Sequence, residues 1–135
     1  MQKQGWGRII NISSASGTKP APGTGVYSTT KTAVNNLTVT LAQSMGDDAV
    51  TINTISPGAI FSGAMANIFI ENGMASTVYE ACELLNQMRS DGITFDRVGE
   101  VEEVADVIVF LASPLASYVH GANFCIDGGY VPTVN

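Results

Sequence analysis

Three side chains of this 135-residue chain have the types and spacing for carbonyl chemistry: Ser14, Tyr27 thirteen positions on, and Lys31 four beyond that. A hydroxyl can hold a carbonyl oxygen by a hydrogen bond, and a phenol can give that oxygen a proton or take one back. A free phenol titrates near pKa 10, about three units too high for a base at neutral pH, a gap of roughly 4 kcal/mol. One cation about 4 Å away, at an effective dielectric near 20, supplies about that much. Tyr27 and Lys31 are i and i+4, so on a helix phenol and ammonium share one face.

The elements that must position this set are legible around it. Residues 8–13, RIINIS, are short and β-branched and follow Gly7, as in a strand buried on both faces. The loop 16–25, rich in Gly and Pro, can fold Ser14 back over the start of the next helix. Spacing predicts that helix over 27–45, with Val34, Leu37, Leu41 and Met45 on its buried side and Gly46, Asp47 and Asp48 ending it. Its Thr and Asn residues lower its propensity, so packing must hold it. Residues 50–56, VTINTIS, read as a second strand closed by Pro57-Gly58.

A mostly helical insert over 59–97 follows, with a short piece over 65–70 and a better helix over 77–88. In the latter, Thr77 and Glu80 form a capping-box pattern, and Val78, Ala81, Leu85 and Met88 line one side. Such an insert is either a lid over a site or an ordinary surface excursion. Residues 101–112 give the cleanest helix, with Glu100, Glu102 and Glu103 at its positive end. Residues 123–127 make a third strand, ended by Gly128-Gly129.

Two strand-helix-strand crossovers imply an α/β fold with a parallel sheet and flanking helices. Three strands are too few for a doubly wound sheet, and the first would be an apolar edge. No G-x-G-x-x-G or Walker sequence offers a phosphate-cradling loop. The chain reads as half of a larger unit.

Composition narrows the functions. With 45% hydrophobic and 13% charged residues the chain is globular. A net charge of -6 with six scattered Lys and Arg argues against nucleic acid and an anionic membrane surface. No apolar run nears a membrane span, and the N-terminus lacks a signal-peptide core, so a cytoplasmic location is expected. Cys82 and Cys125 have no metal-ligand spacing and read as reduced thiols, Cys125 as core. His120 has no evident partner. Without a G-x-S-x-G elbow, a serine hydrolase is disfavoured.

Taken together, the motifs resemble the short-chain dehydrogenase/reductase family. Ile10-Asn11-Ile12-Ser13-Ser14 is similar to that family's fifth strand with its catalytic serine. Tyr27-Ser28-Thr29-Thr30-Lys31 is similar to its Y-x-x-x-K motif, and Asn53 through Gly58 to its sixth strand and Pro-Gly turn. Arg97-Val98-Gly99 through Ser113 resembles its penultimate helix, and GANFCIDGG its last strand. The resemblance runs from Gly7 to about Tyr130, in family order and spacing. It implies the C-terminal half of a Rossmann-like doubly wound parallel sheet, one partial domain over 1–135.

By resemblance, Ser14, Tyr27 and Lys31 would be catalytic, with Tyr27 the proton donor or base and Lys31 also holding the nicotinamide ribose. Pro57, Gly58, Ile60 and Ser62 would form the nicotinamide side of the pocket; without the resemblance they are a turn closing a strand. NAD or NADP is the implied cofactor, a small alcohol or ketone the implied substrate, and a dimer or tetramer the implied assembly of the complete enzyme. The family's glycine-rich loop, its NAD-or-NADP-selecting residue and its Asn-Ala-Gly motif have no counterpart here. Two readings follow: the catalytic half of an NAD(P)-dependent oxidoreductase, or a truncated, inactive chain serving as an interaction module or not folding independently.

Overall fold

The computed structural model describes residues 1–45, 49–89 and 92–132. The chain runs β1 (Gly7–Ile12), α1 (Gly25–Ser44), β2 (Val50–Pro57), β3 (Ile60–Phe61), α2 (Gly63–Glu71), α3 (Val78–Arg89), β4 (Gly99–Glu100), α4 (Val101–Ala112) and β5 (Asn123–Ile126). Single 3-10 turns follow β1 and α4, at Ala15–Gly17 and Pro114–Ala116. The expected end of α1 at 46–48 lies outside the described residues.

The three longer strands form one parallel sheet in the order β1-β2-β5. Ile9 pairs with Ile52 and Ile12 with Ile55, while Thr54 pairs with Asn123 and Pro57 with Ile126. The central strand is β2, buried at every residue from Val50 to Ser56. β1 was expected to be buried on both faces, yet most of it is only half-covered and Ile12 is 47% exposed. It lies at the end of the sheet, with one paired side. The two-residue pairing of β3 with β4 was not legible, since two residues carry no periodicity.

Helix α1 departs from its expected packing. Ser28, Thr38 and Ala42 are its buried residues, whereas Leu37 and Leu41 are 52% and 37% exposed. Small polar side chains let the helix lie close on the sheet, and hydrogen bonds then satisfy them. The Thr38 hydroxyl accepts from Asn11 Nδ2 at 2.8 Å and Thr54 Oγ1 at 2.7 Å, and donates to the Val34 carbonyl at 2.9 Å. At the helix's other end a Cβ on Gly17 would stand 2.9 Å from the Lys31 carbonyl carbon, so that crossing admits only glycine.

Two apolar clusters result. Ile55, Leu111 and Ala116 join the sheet to α4, while Ala66, Phe69, Ala81 and Leu85 give the 59–97 insert its own core, closed by Val98 just after it. In α3 only Ala81 and Leu85 of the expected stripe are buried; Val78 and Met88 are exposed at its ends. Thr77 Oγ1 caps Glu80 N as expected, but the Glu80 carboxylate reaches Ser76 N. Helix α4 matches its expected bounds, fixed by a Glu100–Glu103 capping box. Cys125, expected in the core, is exposed on β5, and the described cysteines are unpaired. His120 has partners after all: its Nδ1 accepts from Ile52 N at 3.1 Å, which puts the ring proton on Nε2, 2.9 Å from the Ala42 carbonyl. Among the described residues no helix is long and apolar enough to cross a membrane, and no cluster of potential metal ligands occurs.

Candidate active site

Where β1 and β2 end, the sheet opens into a cavity of about 380 Å³. Ser14, Tyr27, Pro57, Gly58 and Ile60 line it together, with Met65, Leu85, Ile93 and Tyr130 opposite. Carboxyl ends of parallel strands are where open α/β sheets place ligands, because the chain there leaves the sheet and turns away. The sequence-read set therefore meets in one place, except Lys31 and Ser62.

Ser14 is held by the turn it begins. Its Oγ accepts from Ser16 N at 3.2 Å, capping the 3-10 turn and leaving its O–H to donate. The preceding serine, Ser13, does structural work: its hydroxyl donates to the Lys31 carbonyl at 2.9 Å and binds strand end to helix. Tyr27 stands in the first turn of α1, where it lines the cavity and remains 49% exposed. Thr24 and Ser28 share a 2.9 Å hydrogen bond beneath it and anchor that turn.

Lys31 sits one helical turn behind Tyr27. Its Nζ donates to the Ile12 carbonyl at 3.0 Å and lies 5.7 Å from the centre of the Tyr27 ring. An ammonium has three donors, so this contact leaves it able to bind further acceptors at the same place. The Ile12 carbonyl aims the ammonium at the end of β1, beside the phenol.

The Pro57-Gly58 turn closes β2, and Gly58 N donates to the Ile126 carbonyl at 2.9 Å. Ser62 does not line the cavity. Its Oγ accepts from Met65 N at 3.2 Å and so begins α2. From the insert's apolar residues Met65 reaches the cavity, whereas Phe61 and Phe69 pack in the insert's own core and Ile68 is 51% exposed. Leu85, Ile93 and Tyr130 were not foreseen. They come from three separate segments, and their approach depends on how the insert folds back.

A second cavity of about 400 Å³ shares the Ala59-Ile60 and Ile93 wall with the first. Cys125, Asp127, Arg97 and Glu103 are among its residues. Although Cys125 is exposed by area, the cavity walls around its sulfur partly screen it from water, and this, then the nearby Asp127 charge, pushes the thiol up from its ordinary pKa. Arg97 and Glu103 form a two-armed ion pair at 2.7 and 2.8 Å. That pairing, with the Glu100 N–H donating to the same carboxylate, holds Glu103 down at about 2.

A family model described as "Enoyl-(Acyl carrier protein) reductase" matches residues 1–131. The chain belongs to the short-chain dehydrogenase/reductase family. Among its relatives are a 3-oxoacyl-[acyl-carrier-protein] reductase of Aquifex aeolicus, 38% identical over 96% of this chain and 47% of that protein, and an acetoacetyl-CoA reductase of Cupriavidus necator, 34% identical with the same coverage. A solved L-sorbose reductase from Gluconobacter frateurii, complexed with NADPH and L-sorbose, superposes with a TM-score of 0.87 at 28% identity, covering 99% of this chain and 51% of that one. The chain thus spans about half the length of the curated relatives it matches. The α/β fold with its parallel sheet is that of half a Rossmann-type reductase.

Proposed function

We propose that this chain is the proton-transfer and substrate-binding half of an NAD(P)-dependent oxidoreductase acting on small alcohols or ketones. The observation that carries the reading is the shared cavity: Ser14, Tyr27 and the Pro57-Gly58 turn line one space, with the Lys31 ammonium a turn behind the phenol. The residues present fit the nicotinamide end of such a cofactor. Lys31 has donors for ribose hydroxyls, and Pro57, Gly58 and Ile60 offer a wall for the ring, while Ser62, which caps α2, would act through the start of that helix. When bound, a nicotinamide supplies or accepts the hydride.

The chain's own residues do the rest. The Ser14 O–H, left to donate by its Ser16 contact, holds the substrate oxygen and favours its developing charge. The Tyr27 hydroxyl gives that oxygen a proton in reduction and removes it in oxidation. Lys31 holds its charge beside Tyr27 through the Ile12 carbonyl. Met65, Leu85 and Ile93 give the substrate an apolar wall, and residues 59–97 act as its lid. The exposed Leu37, Val39 and Leu41 of α1 fit a homo-oligomer built on that helix. A cytoplasmic setting fits the unpaired thiols.

The test joins this chain to the nucleotide-binding half of a relative and follows NADH or NADPH oxidation against a panel of small ketones. Turnover that Ser14→Ala and Tyr27→Phe abolish is the expected result. A folded, cofactor-binding fusion with no turnover on any ketone would favour the inactive interaction-module reading instead. For the 135 residues alone, which lack a glycine-rich loop, only weak cofactor binding is expected.

A further inference from the structure

We propose that Lys19 is a positioning residue that fixes Tyr130 against the cavity and thereby limits the bulk of the substrate, an inference that rests on the oxidoreductase reading above. Lys19 lies one turn past Ser14: its backbone N–H donates to the Ala15 carbonyl at 2.8 Å and completes the turn that Ser14 caps. Its side chain then crosses to the far end of the chain. Nζ donates to the Tyr130 carbonyl at 2.9 Å and stands 3.8 Å from the centre of the Tyr130 ring. The tail of the insert packs on the same pair, since a Cβ at Gly92 would lie 3.4 Å from that Nζ and 3.6 Å from the ring. Thr94 N, donating to the Gly128 carbonyl at 2.8 Å, ties the tail to the turn after β5.

Three segments that wall the cavity therefore meet at one ammonium: the serine loop, the insert's tail and the turn after β5. Tyr130 lines the cavity with Ser14 and Tyr27, whereas Lys19 does not, so Lys19 acts through Tyr130. The backbone at Tyr130 is already fixed by Asp127, whose carboxylate accepts from Gly129 N and Val131 N, each at 3.0 Å. What Lys19 adds is the direction of the ring. A cation over an aromatic face is an attraction that a neutral chain of similar length does not reproduce, and arginine does.

The test compares Lys19→Met, Lys19→Gln and Lys19→Arg in two measurements. In the 135-residue chain, amide exchange at Lys19 and Thr94 should rise about tenfold in the Met variant and stay near wild type in Arg. Should Met fail to fold by circular dichroism, Gln takes its place in the comparison. Equal exchange in wild type and the neutral variant overturns the tie. In the chain joined to a nucleotide-binding half, the preference in kcat/KM for a short ketone over a branched one should fall about tenfold for Met or Gln. The change should come through a lower KM for the branched ketone, and Arg should restore the preference. An unchanged ratio overturns the role in specificity. If that fusion turns over no ketone, the proposed activity fails, while the exchange measurement still decides the tie.

Discussion

Gly58 passes so close to Asp127 that a Cβ placed on it would lie 2.7 Å from the Asp127 Cβ and 2.8 Å from its Cα. The turn that forms one wall of the cavity is thus packed directly on the turn after β5. Gly58→Ala cannot be absorbed by rotating a flexible side chain, because the obstacle includes backbone. The variant should lose about 1–3 kcal/mol, as overpacking does. Chemical denaturation read by circular dichroism checks this, and an unchanged midpoint would mean that the two turns are not in contact.

Thr38→Val tests how α1 is fastened to the sheet. Thr38 is 1% exposed, and its hydroxyl is the shared partner of Asn11, Thr54 and the Val34 carbonyl. Valine keeps the shape and removes the acceptor, leaving the Asn11 amide and the Thr54 hydroxyl short of a partner. A loss of about 1–3 kcal/mol is expected, the cost of buried polar groups left unsatisfied. The double variant Thr38→Val with Thr54→Val should cost less than the sum of the singles, since it removes both ends of one bond.

This network also marks where the sequence stopped being legible. Strands β1, β2 and β5 and helix α4 are readable because β-branched runs and a regular apolar stripe report burial directly. Helix α1 was placed to within two residues at its start, but its apolar residues do not mark its packed face; Ser28, Thr38 and Ala42 do. No periodicity rule selects small polar residues whose burial depends on a partner such as Asn11. The Ser14, Tyr27 and Pro57-Gly58 neighbourhood was legible through motif spacing. Tyr130 and Leu85 were not, because their position depends on how the insert returns to the sheet.

The Arg97–Glu103 pair gives the chain an acid-sensitive joint where the insert meets α4. The Arg97 hydrogen bonds, then the Glu100 N–H, lower the Glu103 carboxyl from its ordinary value of 4.5 to about 2. A folded-state pKa below the unfolded one stabilises the fold above the ordinary value, and that stabilisation fades as pH falls from about 4.5 towards about 2. The thermal midpoint should therefore drop across this window, and Glu103→Gln should flatten the drop. Both side chains are close to half exposed, at 48% and 40%, so added salt should weaken the effect. Identical pH profiles for wild type and Glu103→Gln would count against the joint.

Tyr27→Phe and Lys31→Ala separate proton transfer from cofactor binding in the proposed reaction. Tyr27→Phe removes one hydroxyl from a half-exposed lining residue and leaves the ring, so helix and cavity should persist. Positioned acid-base groups contribute about 10²–10⁴-fold, and a loss of that order is expected, chiefly in kcat. Cofactor affinity should change little, because the Lys31 ammonium and its Ile12 contact remain. Lys31→Ala removes that ammonium, and with it both the charge beside the phenol and the donors offered to a ribose. It should therefore weaken cofactor binding as well as turnover. The measurements are kcat, cofactor Kd and thermal midpoint for both variants, in the chain joined to a nucleotide-binding half. A Tyr27 that only packs predicts the reverse pattern, a lowered midpoint with near-normal turnover in the folded fraction. Turnover above about a tenth of wild type in Tyr27→Phe, outside the acid-base range, removes the tyrosine from the mechanism.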